Sequence, residues 1–398
     1  MKLWKKILIT LLILLGISQI PGIYHLYQTY SQNSAIAASA ASRRKQPDTG
    51  YKEFKGVIHL HTRIGGHSYG TFQEVVKASK KRNLDFVVMT EHIAPDKDTF
   101  GKSFDGKKEG VLFVNGNELS VKENRFLVIE SFKDILKAAK KEPREFLLEA
   151  RTENRLALIT HPERGDMNIS ADGLEVFSLH TAADEINKPL ALMDAIWGYL
   201  PYPQLSIVRH FKRPDRSLKL YDRLSAKERL TLFASTDVHQ GVGIRWGGTD
   251  SNPWFDLIID RYDGMFRIVR NHVLLGKDEE LTKGSLISAV RSGNCFVGLD
   301  VLGDSDGFRF SARSGGKSGI MGEELEFEPG ARLESQAPLE SRFVIIRNGE
   351  RYFEQQATSR IELKIEKKGN YRVEVYRDEL GSPFDTLPWI ISNPIYLR

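Results

Sequence analysis

The sequence contains a single cysteine, Cys295, in 398 residues. One cysteine excludes an intrachain disulfide and a CxxC-type zinc ribbon, and it gives no information on the redox compartment. A GxSxG nucleophile elbow is also absent, and the glycine-rich stretch GVGIRWGGTD lacks the lysine of a phosphate-binding P-loop. The sequence therefore argues against a serine hydrolase of the nucleophile-elbow type and against a P-loop nucleotidase.

Neither sign of charge is scarce, since 57 Lys and Arg residues face 52 Asp and Glu residues, for a net charge of +5. Acidic and basic residues are interspersed, so this pattern argues against a stable nucleic-acid partner. The small positive excess favours an anionic small-molecule substrate or an anionic membrane surface. A chain of 398 residues with 41% hydrophobic residues is typical of a globular protein with two folded domains.

The N-terminus has no uninterrupted apolar run of the roughly 20 residues that a membrane span requires. An apolar run from Ile7 to about Ile20 follows Lys2, Lys5 and Lys6, which is the pattern of an export signal. No lipobox cysteine follows, and small residues suited to signal peptidase occur only at 35–42. We favour an uncleaved anchor over a removed signal peptide. The chain is expected to be exported, either membrane-anchored or periplasmic or extracellular, with these lysines on the cytoplasmic side.

Four segments follow from the pattern along the chain: a signal or membrane anchor (1–27), a flexible tether of small and polar residues (28–50), an alternating α/β region (51–302) and a strand-rich region (303–398). The third segment contains seven strand candidates separated by helical runs: GVIHLH, LDFVVMT, GVLFVNGNEL, LALITH, GLEVFSL, RLTLFAST and NHVLLG. This alternation predicts a closed or nearly closed parallel α/β barrel. The last segment predicts a small antiparallel, Ig-like β-sandwich with turns such as Asn348-Gly349.

Seven of the ten histidines lie at or just after the carboxyl ends of the strand candidates. His59 and His61 are two residues apart in the first strand, so their side chains point the same way. The other candidate ligands follow the first strand or end the second to sixth strands: His67, His92, Glu118, His161, His180, Asp237 and His239. Each motif alone is weak, since HxH is often structural and HP is usually a turn. Together they predict a metal site, because strand ends of a parallel barrel share one face and converging imidazoles need a cation.

The motifs HLHT…HS, TEH, NELS, THP and STDVH resemble those of the PHP superfamily, named after polymerase and histidinol phosphatase domains, over roughly residues 54–300. HSYGTFQEVVKASKKRNLDFVVMTEH and PWIISNPIYL are most similar to the branch that includes carbaryl hydrolase. The resemblance implies a distorted (β/α)7 barrel with up to three metal ions. The closing DVH differs from ordinary amidohydrolases, which usually end on a lone aspartate.

The resemblance also implies a ligand assignment. His59, His61, Glu118 and Asp237 would hold one metal, and Glu118 would bridge to a second held by His161 and His180. His67, His92 and His239 would hold a third. His67 stands where many members have an aspartate, at the spacing of trinuclear members, so two to three divalent ions (Zn, Mn or Fe) are expected. Glu175 is the alternative to His180, and Glu91 is expected to orient a ligand histidine through its free N–H.

Such a site suits a phosphoesterase that uses a metal-bridging hydroxide as nucleophile. Asp237 could assist proton transfer, and Arg63 and Arg164 could contact phosphate oxygens. Each arginine could instead be a solvated loop residue or a salt-bridge partner. The alternative activity is hydrolysis of a carbamate, carboxylic ester or amide on the same site. The alternative of another class is a metal-containing binding or docking protein. The sequence indicates no protein partner.

Overall fold

The computed structural model describes residues 2–43, 50–66, 68–165, 169, 171–249 and 252–398, with some side chains between 244 and 257 left undescribed. The candidate ligand His67 thus lies outside the described residues.

The first element is one long helix, α1 (Leu3–Ala41). By length and composition it could cross a membrane or serve as a signal sequence. Residues 28–41 differ from the expected flexible tether, because they continue this helix. Thr29, Gln32 and Ile36 are buried on one face, at i, i+3 and i+7, and the Gln32 amide donates to the carbonyls of Leu380 and Ser382 at 3.0 Å. Residues 44–49 of the expected tether lie outside the described part of the chain.

A ring of strands follows. The first eight strands are β1 (Tyr51–Ile58), β2 (Phe86–His92), β3 (Gly106–Lys108), β4 (Val111–Val121), β5 (Asn124–Ile129), β6 (Leu156–Thr160), β7 (Gly173–Ser178) and β8 (Thr231–Ser235). They pair in the order β1-β2-β4-β5-β6-β7-β8, with the short β3 beside β4. A bridge between Leu60 and Val238, and a 2.7 Å hydrogen bond from Asp237 N to His59 O, bring the chain after β8 back to the end of β1.

In the described part of the chain, seven helices lie between the strands of the ring: α2 (Phe72–Lys81), α3 (Ile135–Ala138), α4 (Pro143–Thr152), α5 (Leu179–Asp184), α6 (Lys188–Gly198), α7 (Pro203–Val208) and α8 (Asp215–Ser225). Two more, α9 (Tyr262–Met265) and α10 (Lys283–Ser292), follow β8. Thr71 caps the N-terminus of α2, since its side chain accepts from Glu74 N in a capping box. Val75, Val76 and Ser79 are buried together on the inner side of α2.

The sheet is mixed, not purely parallel as expected. The strand β5 was not predicted, and it runs antiparallel to both β4 and β6. Only Lys122 and Glu123 separate β4 from β5, and Lys122 has φ 55°, so the two strands form a hairpin and must run in opposite directions. The predicted seventh strand, NHVLLG, is part of β11 (Arg270–Gly276), which pairs antiparallel with the first six residues of β1.

The remaining strands are β9 (Gly243–Thr249), β10 (Asn252–Ile258), β12 (Cys295–Gly298), β13 (Arg309–Ser314), β14 (Lys317–Ile320), β15 (Glu324–Leu325), β16 (Arg332–Arg347), β17 (Glu350–Lys364), β18 (Gly369–Tyr376), β19 (Pro388–Ser392) and β20 (Ile395–Leu397). Single-turn 3-10 helices lie at Asp300–Leu302, Asp378–Leu380 and Phe384–Thr386. The strands β9 and β10 form a separate two-stranded hairpin, whereas β12 pairs with β19 and so joins the C-terminal strands to the ring in one mixed sheet. The expected mixed α/β class is confirmed.

A buried polar network lies where β1, β11 and the segment after β12 meet. His272 is buried, with Nδ1 2.9 Å from Glu53 Oε1 and Nε2 3.1 Å from Asp300 Oδ2. Burial would lower the pKa of His272, but these two carboxylates raise it to about 10. Glu53, His272 and Asp306 lie close enough to share a cation. Lys55 Nζ lies 2.7 Å from Asp306 and Arg309 contacts Glu53, however, so positive charge is already present and we assign no metal here.

Candidate metal centre

The candidate ligands gather where the ring strands end. His59 directly follows β1, His161 follows β6 and Asp237 lies two residues beyond β8. All three have left-handed backbone conformations, with φ of 68°, 48° and 43°. Positive φ is uncommon outside glycine and carries a conformational cost, which proteins concentrate at functional sites. The strand ends are therefore shaped to turn these side chains to one point.

Glu118 of β4 is the centre of the cluster. Its Oε2 lies 3.3 Å from His59 Nε2, 3.2 Å from His61 Nε2 and 3.0 Å from His92 Nδ1. Asp237 Oδ1 lies 3.3 Å and 3.2 Å from the same two Nε2 atoms of His59 and His61. One atom from each of His59, His61, Glu118 and Asp237 lies within 4.8 Å of the others, and all four residues are buried. These are the four residues that the resemblance implies for one metal.

A second group lies beside the first. One ring nitrogen each of His61, His92 and His239 lies within 4.8 Å of the others. The His61 ring stacks on those of His92 and His239, with centroids 4.0 Å and 4.3 Å away. The Nε2 atoms of His92 and His239 lie 3.4 Å apart, and His239 Nδ1 lies 3.0 Å from the Asp237 carbonyl. The structure thus brings together two of the three residues expected for a third ion, and His61 takes part in both groups.

His161 joins the cluster, and His180 does not. His161 Nε2 lies 3.3 Å from Asp237 Oδ2 and 3.6 Å from Glu118 Oε1. His180 lies in the first turn of α5, is 43% exposed and has Asp184 at 3.6 Å. Its ring centroid is 6.3 Å from that of His161. The structure therefore does not bring His180 together with Glu118 and His161, as expected for a second metal. The helix α5 begins at Leu179 and places the His180 side chain at the rim of the site.

Glu175 and Glu91 lie outside the cluster and form hydrogen bonds that position parts of it. Glu175 points inward from β7, where its Oε2 lies 3.3 Å from His59 Nδ1 and accepts from the Thr160 hydroxyl. It therefore occupies the histidine-orienting position that the sequence suggested for Glu91. Glu91 instead accepts from Thr62 N at 3.0 Å, the Thr62 hydroxyl at 2.6 Å and Gly65 N at 2.9 Å. These bonds hold the turn that follows His61.

The charges of the cluster depend on one another. Burial would raise the pKa of Glu118 and of Asp237, but the neighbouring histidines, His59 first, hold both well below their usual range. Burial would lower the pKa of His59, but Asp237 and Glu118 hold it well above its usual range. In the same way His161, whose pKa burial would lower, is raised to about 10 by Asp237 and Glu163. Two buried carboxylates thus require positive charge beside them, supplied by protons or by a metal ion.

The donor set fits a divalent metal. Carboxylate oxygens and imidazole nitrogens meet in one buried place, and this mixture suits Zn, Mn or Fe. The Nε2 atoms of His92 and His239 face each other at 3.4 Å, and in their unprotonated form both present lone pairs that one cation could bind. The described His and carboxylate groups could therefore bind metals, in agreement with the expectation; the metal and the number of ions remain a prediction.

A cavity of about 550 Å³ opens over the cluster. Its wall contains His92, Glu118, His161, Asp237 and His239, with His180 at the rim. The wall also contains Arg164, which is 51% exposed and lies 3.5 Å from Glu163. Arg63 is exposed in the turn held by Glu91 and does not belong to the described wall.

Arg125 is a residue that the sequence analysis missed. It extends from β5 into the cavity wall, with Nη1 2.9 Å from Glu118 Oε1. Arg125 pairs across the β4–β5 hairpin with Ser120, which places it diagonally beside Glu118. Recognising that hairpin would have placed Arg125 at the site, since the arginine follows Glu118 by seven residues across a two-residue turn.

The chain has only distant similarity to the solved structures found by comparison. No protein-family model matches the sequence, and no curated protein matches it. Among solved structures, an endonuclease Q bound to a 27-mer duplex with an abasic lesion is 12% identical, with a TM-score of 0.31, covering 60% of this chain and 57% of that one. A protein described as a metal-dependent phosphoesterase from Bifidobacterium adolescentis is 14% identical, with a TM-score of 0.28, covering 49% of this chain and 89% of that one. Scores this low do not establish a shared fold.

Proposed function

We propose that the chain is an extracytoplasmic, metal-dependent phosphoesterase of the PHP type, with the ring of strands as a distorted (β/α)7 barrel. The observation that carries the proposal is the convergence of Glu118 and Asp237 on His59, His61, His92, His161 and His239 at the strand ends. The left-handed backbone at three of these positions supports it, since strained conformations of this kind concentrate at functional sites.

His59, His61, Glu118 and Asp237 would hold one ion, and His92 and His239 would hold another with His61 and, by the resemblance, His67. Bound divalent ions would activate water as a nucleophile and stabilise the leaving oxygen. Glu175 can accept a hydrogen bond from His59 Nδ1–H, and in that tautomer Nε2 is unprotonated and available for ligation. Asp237 is within reach of His161 Nε2 at 3.3 Å, so this pair can hold a proton beside the reacting groups.

Two arginines in the cavity wall favour a phosphate over a neutral substrate. Arg125 contacts Glu118 through Nη1, and its other N–H groups have no hydrogen-bond partner among the described residues. Arg164 belongs to the same cavity wall, on the segment after His161. Guanidinium groups match pairs of phosphate oxygens, whereas a carbamate or carboxylic ester would not need them.

The test begins with protein purified without chelators, followed by elemental analysis and a panel of p-nitrophenyl phosphate, bis-p-nitrophenyl phosphate and a naphthyl ester. We expect at least two metal equivalents and turnover of a phosphate ester that is lost in Asp237→Ala. Asp184→Ala removes an exposed carboxylate near the rim and serves as the matched control. Turnover of the ester alone would instead favour the carbonyl hydrolase, and bound metal without any turnover would favour a binding protein.

A further inference from the structure

The helix α6 exposes its apolar face. Leu192 and Ile196 of α6 and Leu200, two residues past its end, are spaced four residues apart and are 68%, 64% and 88% exposed. The opposite face turns Asp194 inward, where its carboxylate accepts from His25 Nδ1 at 2.8 Å. A surface helix of a water-soluble protein has the reverse arrangement, with its apolar stripe on the core. A contiguous exposed apolar stripe marks a surface that another phase or molecule covers.

The neighbour of α6 is the apolar helix α1. Trp197 Nε1 donates to Gln19 Oε1 at 3.0 Å, and its ring packs against Gly22 so closely that a Cβ there would lie 2.8 Å from Trp197 Cδ1. At 1.5 Å per residue, the stretch from Leu3 to Ile23 is about 30 Å long, close to the hydrocarbon thickness of a bilayer, with Lys5 and Lys6 near the headgroups at its N-terminal end. The contact with α6 therefore falls where α1 would leave the membrane, on the side opposite the basic N-terminus.

The β9–β10 hairpin supplies a second exposed group. Trp246 and Trp254 are 68% and 79% exposed, with ring centroids 6.1 Å apart. The base of this hairpin adjoins the candidate metal centre, because Ile259 N donates to Val242 O at 2.9 Å and Val242 belongs to the cavity wall. The Tyr199 hydroxyl at the end of α6 donates to the Ile259 carbonyl at 3.3 Å, so α6 is tied to the same base.

We propose that Leu192, Ile196, Leu200, Trp246 and Trp254 form a membrane-docking face that rests on the bilayer from which α1 emerges. Three observations select a lipid surface as the occupant: α6 packs against an apolar helix of spanning length, that contact falls at the end where the helix would leave the membrane, and exposed tryptophans are typical of the membrane–water interface. The face then holds the mouth of the cavity at the lipid headgroups. Resting on the proposed function, this assigns the substrate to phosphate esters carried by membrane lipids.

The docking is tested with the full-length chain in lipid nanodiscs. Single cysteines at Leu192 and Leu200 carry an environment-sensitive dye, while the native Cys295 is buried and stays unlabelled. Leu148, 67% exposed on α4, is the matched control. We expect nitroxide-bearing lipids to quench the dyes at 192 and 200 at least threefold more than the dye at 148. Equal quenching at all three sites overturns the proposal. It is also overturned if lipids do not quench the dyes at 192 and 200 and these positions instead crosslink between two copies of the chain.

The consequence for the substrate is tested separately with the double variant Leu192→Asp/Ile196→Asp. Turnover of a phosphate-headgroup lipid in the same nanodiscs should fall at least tenfold, while turnover of soluble p-nitrophenyl phosphate stays unchanged, as it does for both substrates in Leu148→Asp. Unchanged turnover of the lipid substrate would refute the presenting role of the face. If neither substrate is turned over by the unmodified chain, the proposed function fails, and the quenching result still decides the docking.

Discussion

Metal binding to the metal-free chain should release protons. In that state His161 sits between Asp237 and Glu163, and its pKa is raised to about 10. The pKa values of His59 and His61 are also raised, after a lowering by burial, by the same carboxylates that would bind the ion. A histidine must be deprotonated at the ligating nitrogen to bind a metal, so each bound proton competes with the ion.

The size of the competition follows from the pKa of His161. At pH 7 a group with a pKa of about 10 is protonated in all but roughly one molecule in a thousand, so displacing its proton costs about 4 kcal/mol. The pKa is raised, so the protonated form dominates below about pH 10 and metal affinity should rise with pH. We expect about tenfold tighter binding per pH unit for each proton displaced between pH 6 and 9.

Isothermal titration of Zn²⁺ or Mn²⁺ into the metal-free chain, in buffers of different ionisation enthalpy, counts the protons released. At pH 7 we expect at least one per chain. Glu163→Gln removes one carboxylate that raises the pKa of His161, at 3.5 Å from Nδ1, and should tighten apparent binding at pH 7. Lys141→Met, on an exposed pair distant from the site, is the control. An affinity that is flat from pH 6 to 9, with no buffer-dependent heat, would refute this reasoning.

Three other predictions concern the site and the fold. Arg125→Met should raise KM for a phosphate substrate at least tenfold, equivalent to about 1.4 kcal/mol, and Arg125→Lys should raise it less. Steady-state kinetics measure the KM values, with Arg144→Met, at an exposed position of α4, as the control. An unchanged KM in Arg125→Met would show that Arg125 does not bind the substrate. Protonated His272 should contribute on the order of 4 kcal/mol to the free energy of unfolding, fully below about pH 6.5 and lost as pH rises through about 10. His272→Asn should therefore lower the free energy of unfolding more at pH 6 than at pH 10, as measured by urea unfolding. An equal loss at both pH values would contradict this prediction. Gly56→Ala would place a Cβ onto the facing backbone of β2 and should cost about 2 kcal/mol or more, whereas Gly284→Ala, with open space around it, should leave the melting temperature nearly unchanged.

The candidate site was largely readable from the sequence. His59, His61, His92, Glu118, His161, Asp237 and His239 stand at the ends of short β-rich runs, and the structure brings them together. Strand ends of neighbouring, mostly parallel strands meet at one edge, so a local pattern is enough to place them. His180 shows the limit of that rule. Its strand ends two residues earlier, and a helix carries the side chain to the rim.

The elements that the sequence analysis misjudged depend on contacts between distant segments. Small and polar residues in 28–41 suggested a tether, but the Gln32 amide donates to the carbonyl of Leu380, 348 residues away, and Ile36 packs in the hydrophobic core. These long-range contacts stabilise this part of the helix. Likewise, the β4–β5 hairpin positions Arg125 beside Glu118, and the pleat of β7 directs Glu175 inward to His59.

The sequence by itself determined which histidines and carboxylates stand at the strand ends, because their spacing along each strand and loop is a local property of the chain. Tertiary structure decided which of them lie close enough to share an ion, which arginines line the cavity and which apolar surface stays uncovered. These properties depend on strand direction, on ring closure between β8 and β1 and on the packing of α6 against α1, all of which join residues far apart in sequence.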